Sequence, residues 1–182
     1  MASFAFIRKN ISRYHLDTKE IYVLGCSAGG HLAGCLATVS KNEIQLLKQL
    51  SLTKKDIKIN GLILCYPVIT FKDFAHQRSK MNLIGNDNNL SQLLSLDNRV
   101  NKDTSRTFIF HTYNNQSVLL ENTLLFCQAL KTYNIALELH IYCDGVHGLL
   151  CSDITSADIN NKNHIKKEVA TWVNLCLNWL NK

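Results

Sequence analysis

One stretch, EIYVLGCSAGGHLAG at Glu20 to Gly34, constrains the fold of this chain more than any other. A short apolar run enters a cluster of small residues and leaves as a helix-forming segment. The chain must therefore turn sharply from strand to helix within a few residues, which is the connection of an α/β layer architecture. The rest of the sequence repeats that alternation. Ile21 to Leu24, Leu62 to Tyr66, Thr107 to Phe110 and Leu137 to Tyr142 read as strands. Leu32 to Val39 and Val118 to Leu130 are too continuously apolar for a half-buried strand and long enough for buried helices. Near the end, Ile165, Val169, Trp172, Val173, Cys176, Trp179 and Leu180 recur at steps of three and four, an apolar stripe that predicts a helix packed on the sheet. The expected fold is α/β, a mostly parallel sheet with helices on both faces.

At 182 residues and 46% hydrophobic composition, the chain can bury one substantial core, so residues 1–182 read as a single domain. Residues 71–105 are polar, Asn-rich and too long for a simple strand-to-helix connection, so they read as a loop or a lid-like helical excursion over one end of the sheet. Seven cysteines form no CxxC pair and sit mostly inside apolar runs, which reads as reduced thiols in a cytoplasmic protein and gives no metal site. The basic residues of the amino terminus follow its short apolar patch, where a secretion signal has them first, and no run is long enough to span a membrane. The net charge of +6 comes from dispersed lysines without interleaved aromatics, a solvated surface rather than a nucleic-acid interface. No dinucleotide fingerprint or phosphate-binding loop is present, so no cofactor is expected.

Gly25-Cys26-Ser27-Ala28-Gly29 fits G-x-S-x-G between a predicted strand and a predicted helix. In that setting Ser27 is held above the carboxyl edge of the sheet as a candidate nucleophile, and the Ala28 N–H at the helix start is a candidate oxyanion donor. The competing explanation is a glycine-rich turn that only packs a helix against a strand. A serine nucleophile needs a base, and Asp144-Gly145-Val146-His147-Gly148, just past the last predicted strand, offers His147. The other histidines lie in positions better suited to structure or solvent; among them, His31 falls in the helix after Ser27 and His111 ends a strand.

The blocks GCSAGGHLAG, LILCYPVIT, FIFHTYNNQSVLLENTLLFCQAL and LELHIYCDGVHGL, in this order, resemble the α/β-hydrolase superfamily, and within it the acetyl esterase and feruloyl esterase-like branch. The resemblance runs from about Phe4 to Leu180 and implies Ser27 as nucleophile, His147 as base and Ala28 N–H as oxyanion donor. It also implies an aspartate three residues before Val118, where this chain has Asn115, preceded by Asn114. An amide can hold an imidazole but cannot stabilise its charged form. The resemblance further implies that the chain is the C-terminal portion of such a fold and lacks upstream strands and a glycine-rich loop. Strand 21–24 would then be an apolar edge needing a partner or a missing upstream segment to cover it. The implied activity is hydrolysis of short acyl esters, including acylated sugars, weakened at Asn115. The alternatives are a catalytically inactive remnant or gene fragment and, within the enzymes, a serine peptidase of the prolyl oligopeptidase type.

Overall fold

The computed structural model describes residues 2–17, 19–39, 41–157 and 162–182; residues 1, 18, 40 and 158–161, which fall inside the expected domain 1–182, lie outside the described residues. Two helices, α1 (Ala2–Lys9) and α2 (Ile11–Tyr14), lead into β1 (Tyr22–Cys26) and α3 (Ala28–Ala37). Helix α4 (Lys41–Gln49), β2 (Gly61–Cys65), α5 (Gln77–Leu83), α6 (Asn88–Leu94), β3 (Thr107–Thr112), α7 (Glu121–Thr132), β4 (Leu137–Tyr142), α8 (Lys167–Ala170) and α9 (Trp172–Leu180) follow. The four strands form one parallel sheet in the order β1-β2-β3-β4.

Every residue of β2 and β3 is buried; β2 reads as a continuous apolar run rather than an alternating one, and β3 is apolar through its centre, Phe108 to Phe110. One face of the sheet packs Leu62, Leu64 and Ile109 against Ala33 and Ala37 of α3 and Phe126 and Leu130 of α7. The other packs Ile63, Cys65, Phe108 and Phe110 against Val169, Trp172, Cys176 and Trp179 of α8 and α9. Helices therefore cover both faces, as the alternating pattern predicts. Strand β1 is an edge of the sheet, and Leu24 on it is 53% exposed.

Several boundaries differ from the sequence-based expectation: β2 is Gly61–Cys65 where Leu62 to Tyr66 is expected, β3 runs past Phe110 to Thr112, and α3 is Ala28–Ala37 where Leu32 to Val39 is expected. The helix expected over Val118 to Leu130 begins at Glu121. Val118 is apolar because it is buried in a turn, where its N–H bonds Asn115 Oδ1 and its carbonyl accepts from His111 Nε2. The C-terminal stripe is interrupted at Thr171, and Ile165, its first expected member, precedes α8 and is 41% exposed. Strand β1 runs on to Cys26, one residue before Ser27. The excursion over 71–105 is helical: α5 and α6 are capped by His76 and Asp87, and Phe71 and Ile84 pack with Val68 and Val118.

Candidate active site

Ser27 occupies the turn between β1 and α3 with φ 53° and ψ −122°, a conformation that a residue with a Cβ adopts only under strain. The surroundings hold it there. Ser27 N–H donates to Cys65 O at 3.0 Å, and Ser27 O accepts from Gly30 N at 3.0 Å and from Val68 N at 3.0 Å. Two glycines make the turn sterically accessible. A Cβ on Gly25 would lie 2.4 Å from Gly29 O, and one on Gly30 would lie 2.8 Å from Pro67 Cβ. By contrast a Cβ on Gly29, the last glycine of the motif, meets nothing within 4 Å, so the close helix–strand approach rests on Gly30. Because the strain belongs to the Ser27 Cβ, Ser27→Gly should unfold at a free energy about 1 kcal/mol above that of Ser27→Ala, since both lose the hydroxyl and only glycine relieves the strain. Urea unfolding of the two variants checks this, and a Ser27→Gly no more stable than Ser27→Ala would show that the turn is unstrained.

The loop after β4 brings His147 back over Ser27, with His147 Nε2 2.7 Å from Ser27 Oγ. Tyr66 backs the imidazole edge-to-face, centroids 5.0 Å apart, and its hydroxyl accepts from Leu150 N at 3.0 Å. On its other side His147 meets Asn115: Asn115 Nδ2 lies 3.0 Å from His147 Nδ1. The structure thus brings Ser27, His147 and Asn115 into one hydrogen-bonded chain. Ala28 opens α3 beside it and is exposed, so its N–H belongs to the uncapped first turn of a ten-residue helix.

The orientation of the Asn115 amide decides the chemistry. Asn115 is 2% exposed, and one of its terminal atoms is 3.1 Å from both Ser117 N and Val118 N. Backbone N–H groups only donate, so that atom is Oδ1 and the atom facing His147 is the NH2. Flipping the amide would set its NH2 against two backbone donors, at a cost of about 1–3 kcal/mol for each donor left unsatisfied. The amide therefore donates to Nδ1, and the neutral ring carries its proton on Nε2. Nε2–H then donates to Ser27 Oγ, and the lone pair that would accept the serine proton points away from it. Burial, and then the nearby His76, lower the His147 pKa further, so the ring is neutral near pH 7.

Asp144, the nearest carboxylate in sequence, is turned away. It bonds Asn114 Nδ2 at 2.6 Å and pairs with Lys166, while Asn114 Oδ1 accepts from Gly145 N at 2.9 Å and Thr112 Oγ1 donates to Gly145 O at 2.8 Å. These contacts fix the loop that carries His147. Asn114 and Tyr66 are thus supporting residues, the first named in the sequence only as the neighbour of position 115 and the second given no role there. The signal for Tyr66 was its place directly after β2; Asn114 gave no local signal beyond its neighbour. His76 also comes to the rim, its Nε2 3.5 Å from Ser117 Oγ. On the α3 side of Ser27, a cavity of about 300 Å³ is lined by Ala28, Leu32, Val68 and Phe71 together with Ser79 and Leu83 of the helical excursion.

His31 and His111 have structural partners. His31 Nε2 is 2.8 Å from Leu94 O, and His111 sits between Thr123 Oγ1 at 2.7 Å and Val118 O at 2.9 Å. Burial lowers the His111 pKa from 6.5 to about 4 and also lowers that of His31. The unfolded chain therefore binds more protons than the folded one below about pH 6.5, and stability should fall as pH drops from there toward 4, by about 3 kcal/mol at full extent for His111. Denaturant unfolding across that window checks the sign, and a flat profile would contradict it. Among the described residues, no group of three or more His, Cys, Asp or Glu side chains is arranged to hold a metal ion, and no helix is long and apolar enough to cross a membrane.

A family model described as BD-FAE matches residues 1–130, ending before His147. Endo-1,4-β-xylanase B of Butyrivibrio fibrisolvens is 35% identical over 148 residues, 79% of this chain and 23% of that protein. Acetylxylan esterase of Xylanibacter ruminicola is 24% identical over 152 residues, 80% of this chain and 29% of that protein. The crystal structure of an acetyl ester-xyloside bifunctional hydrolase from Caldicellulosiruptor lactoaceticus matches with a TM-score of 0.79 at 35% identity, covering 98% of this chain and 62% of that one. The chain thus spans less than a third of these curated relatives.

Proposed function

The chain belongs to the BD-FAE family and has an α/β-hydrolase fold, and from that premise we propose that it is a serine carboxylic-ester hydrolase of the acetyl esterase type. The observation that carries the reading is the chain of hydrogen bonds from Ser27 Oγ through the His147 ring to position 115. In this reading Ser27 Oγ attacks the acyl carbon, the Ala28 N–H stabilises the developing oxyanion, and His147 moves the proton. The substrates are short acyl esters, acylated sugars among them; the relatives described as an acetylxylan esterase and an acetyl ester-xyloside hydrolase support that class. The helical excursion forms one wall of the substrate cavity. All seven cysteines are free thiols, which supports a reducing, cytoplasmic setting.

Turnover is slow in this account, because His147 reaches basic form toward Ser27 only when its proton moves from Nε2 to Nδ1, against the Asn115 NH2. The same contact favours a second reading, a site that binds acylated ligands without turning them over. Hydrolysis of p-nitrophenyl acetate and covalent labelling by a fluorophosphonate separate the two. The esterase reading expects slow release of nitrophenol and a label on Ser27, both lost in Ser27→Ala. Absence of both in the folded wild-type chain would leave the binding reading.

A further inference from the structure

One residue before Ser27, Cys26 stands directly opposite Cys65 in the parallel register of β1 and β2. Paired residues on neighbouring strands lie about 4.8 Å apart and share a face, and a disulfide spans Cα separations of about 4.4–6.8 Å. Both thiols are free, and Cys26 packs against the same apolar cluster that contains Cys65. They differ in access: Cys26 is half-buried at the end of an edge strand, whereas Cys65 is fully buried. The neighbouring Cys65 thiol, and to a lesser extent Tyr66, lower the pKa of Cys26 against the opposing effect of burial, while the Cys26 contact and then burial raise that of Cys65. One thiol is thus partly exposed at the strand end, and the other is sheltered beside it.

We propose that Cys26 and Cys65 are a redox modification site, which a hydroperoxide converts to a disulfide that staples the edge strand at the Ser27 turn. In the first step the Cys26 thiolate attacks a peroxide oxygen. The S–O bond forms, the O–O bond breaks, and hydroxide leaves to take up a proton. In the second, the Cys65 sulfur attacks the Cys26 sulfenic acid: the S–S bond forms, the S–O bond breaks, and water leaves with the Cys65 proton. Two thiols together lose two electrons and two protons, and hydrogen peroxide is reduced to two waters. The crosslink ties β1, which pairs with β2 among the described residues, to that neighbour, and Ser27 N–H already bonds the Cys65 carbonyl at 3.0 Å.

The test is to treat the full chain with hydrogen peroxide, alkylate the remaining thiols and map the digest by mass spectrometry without reductant. The expected product is a peptide pair joined through Cys26 and Cys65, reversed by dithiothreitol, with a melting temperature above that of the reduced chain. Cys65→Ser should leave a sulfenic acid at Cys26 that dimedone traps, and Cys26→Ser should leave Cys65 unmodified. Cys151 and Cys176 lie close enough to act on Cys65 electrostatically, so a link from Cys26 to either would overturn the proposal. So would two alkylatable thiols after peroxide, or a Cys26 sulfinic acid with no crosslink.

Discussion

Asn115→Asp should raise the rate of ester hydrolysis by about 10³- to 10⁴-fold in kcat, the size the reverse change has in serine hydrolases that share the triad logic. The contacts at this position can also be made by a carboxylate. Ser117 N and Val118 N donate to one terminal atom at 3.1 Å each, and the other lies 3.0 Å from His147 Nδ1. An aspartate would accept all three, with Nδ1–H as the third donor, and Nε2 would then face Ser27 Oγ with its lone pair. The same charge stabilises the imidazolium that forms as the serine proton moves, and three donors offset the cost of burying the carboxylate. Comparison of p-nitrophenyl acetate turnover by wild type, Asn115→Asp and Asn115→Asp with Ser27→Ala measures this. The rise should appear in kcat and vanish with the serine. An unchanged rate in a folded Asn115→Asp variant would mean that the amide does not limit the site.

Phe110→Ala should lower the unfolding free energy by about 3–5 kcal/mol, the range for removing a large buried aromatic ring. Phe110 is 0% exposed in β3 and stacks on Trp172 with centroids 4.7 Å apart and planes 22° apart. It also meets Tyr66 edge-to-face at 5.5 Å, and Tyr66 in turn backs His147 at 5.0 Å. The cavity left by the ring therefore opens beneath the histidine loop, which Trp172 Nε1 anchors through Leu150 O at 2.8 Å. Phe126→Ala on the opposite face of the sheet serves as the control, because Phe126 is equally buried but packs with α7 and the α3 side of the core. Both substitutions should cost similar stability, whereas only Phe110→Ala should lower turnover in the Asn115→Asp background at equal folded fraction. Equal losses of turnover would show that Tyr66 does not transmit packing to His147.

The strands and the Ser27 turn were legible because each depends on residues close in sequence: buried parallel strands carry short apolar runs, and a tight strand-to-helix turn needs small residues. Ser27 and His147 were legible as types in particular loops, and their meeting at 2.7 Å follows from both loops leaving the carboxyl ends of strands in one parallel sheet. Position 115 was legible only through the resemblance, since an asparagine after a strand has no chemistry of its own. Its orientation was not legible at all, because it depends on two backbone N–H groups in the turn that buries Val118. That turn also misled the helix boundary, as an apolar residue buried by a loop looks the same in sequence as one buried by a helix. Gly29 and Gly30 likewise cannot be ranked from sequence, because the contact that requires Gly30 is with Pro67 on another strand's exit.

The position of one proton carries the whole account, and long-range ¹H–¹⁵N correlation of the His147 ring reads it directly. In the wild-type chain near neutral pH, Nδ1 should resonate as an unprotonated ring nitrogen and Nε2 as a protonated one, with the pattern reversed in Asn115→Asp. A wild-type ring already protonated on Nδ1, with its Nε2 lone pair toward Ser27, would contradict the claim that Asn115 holds the site in the wrong tautomer.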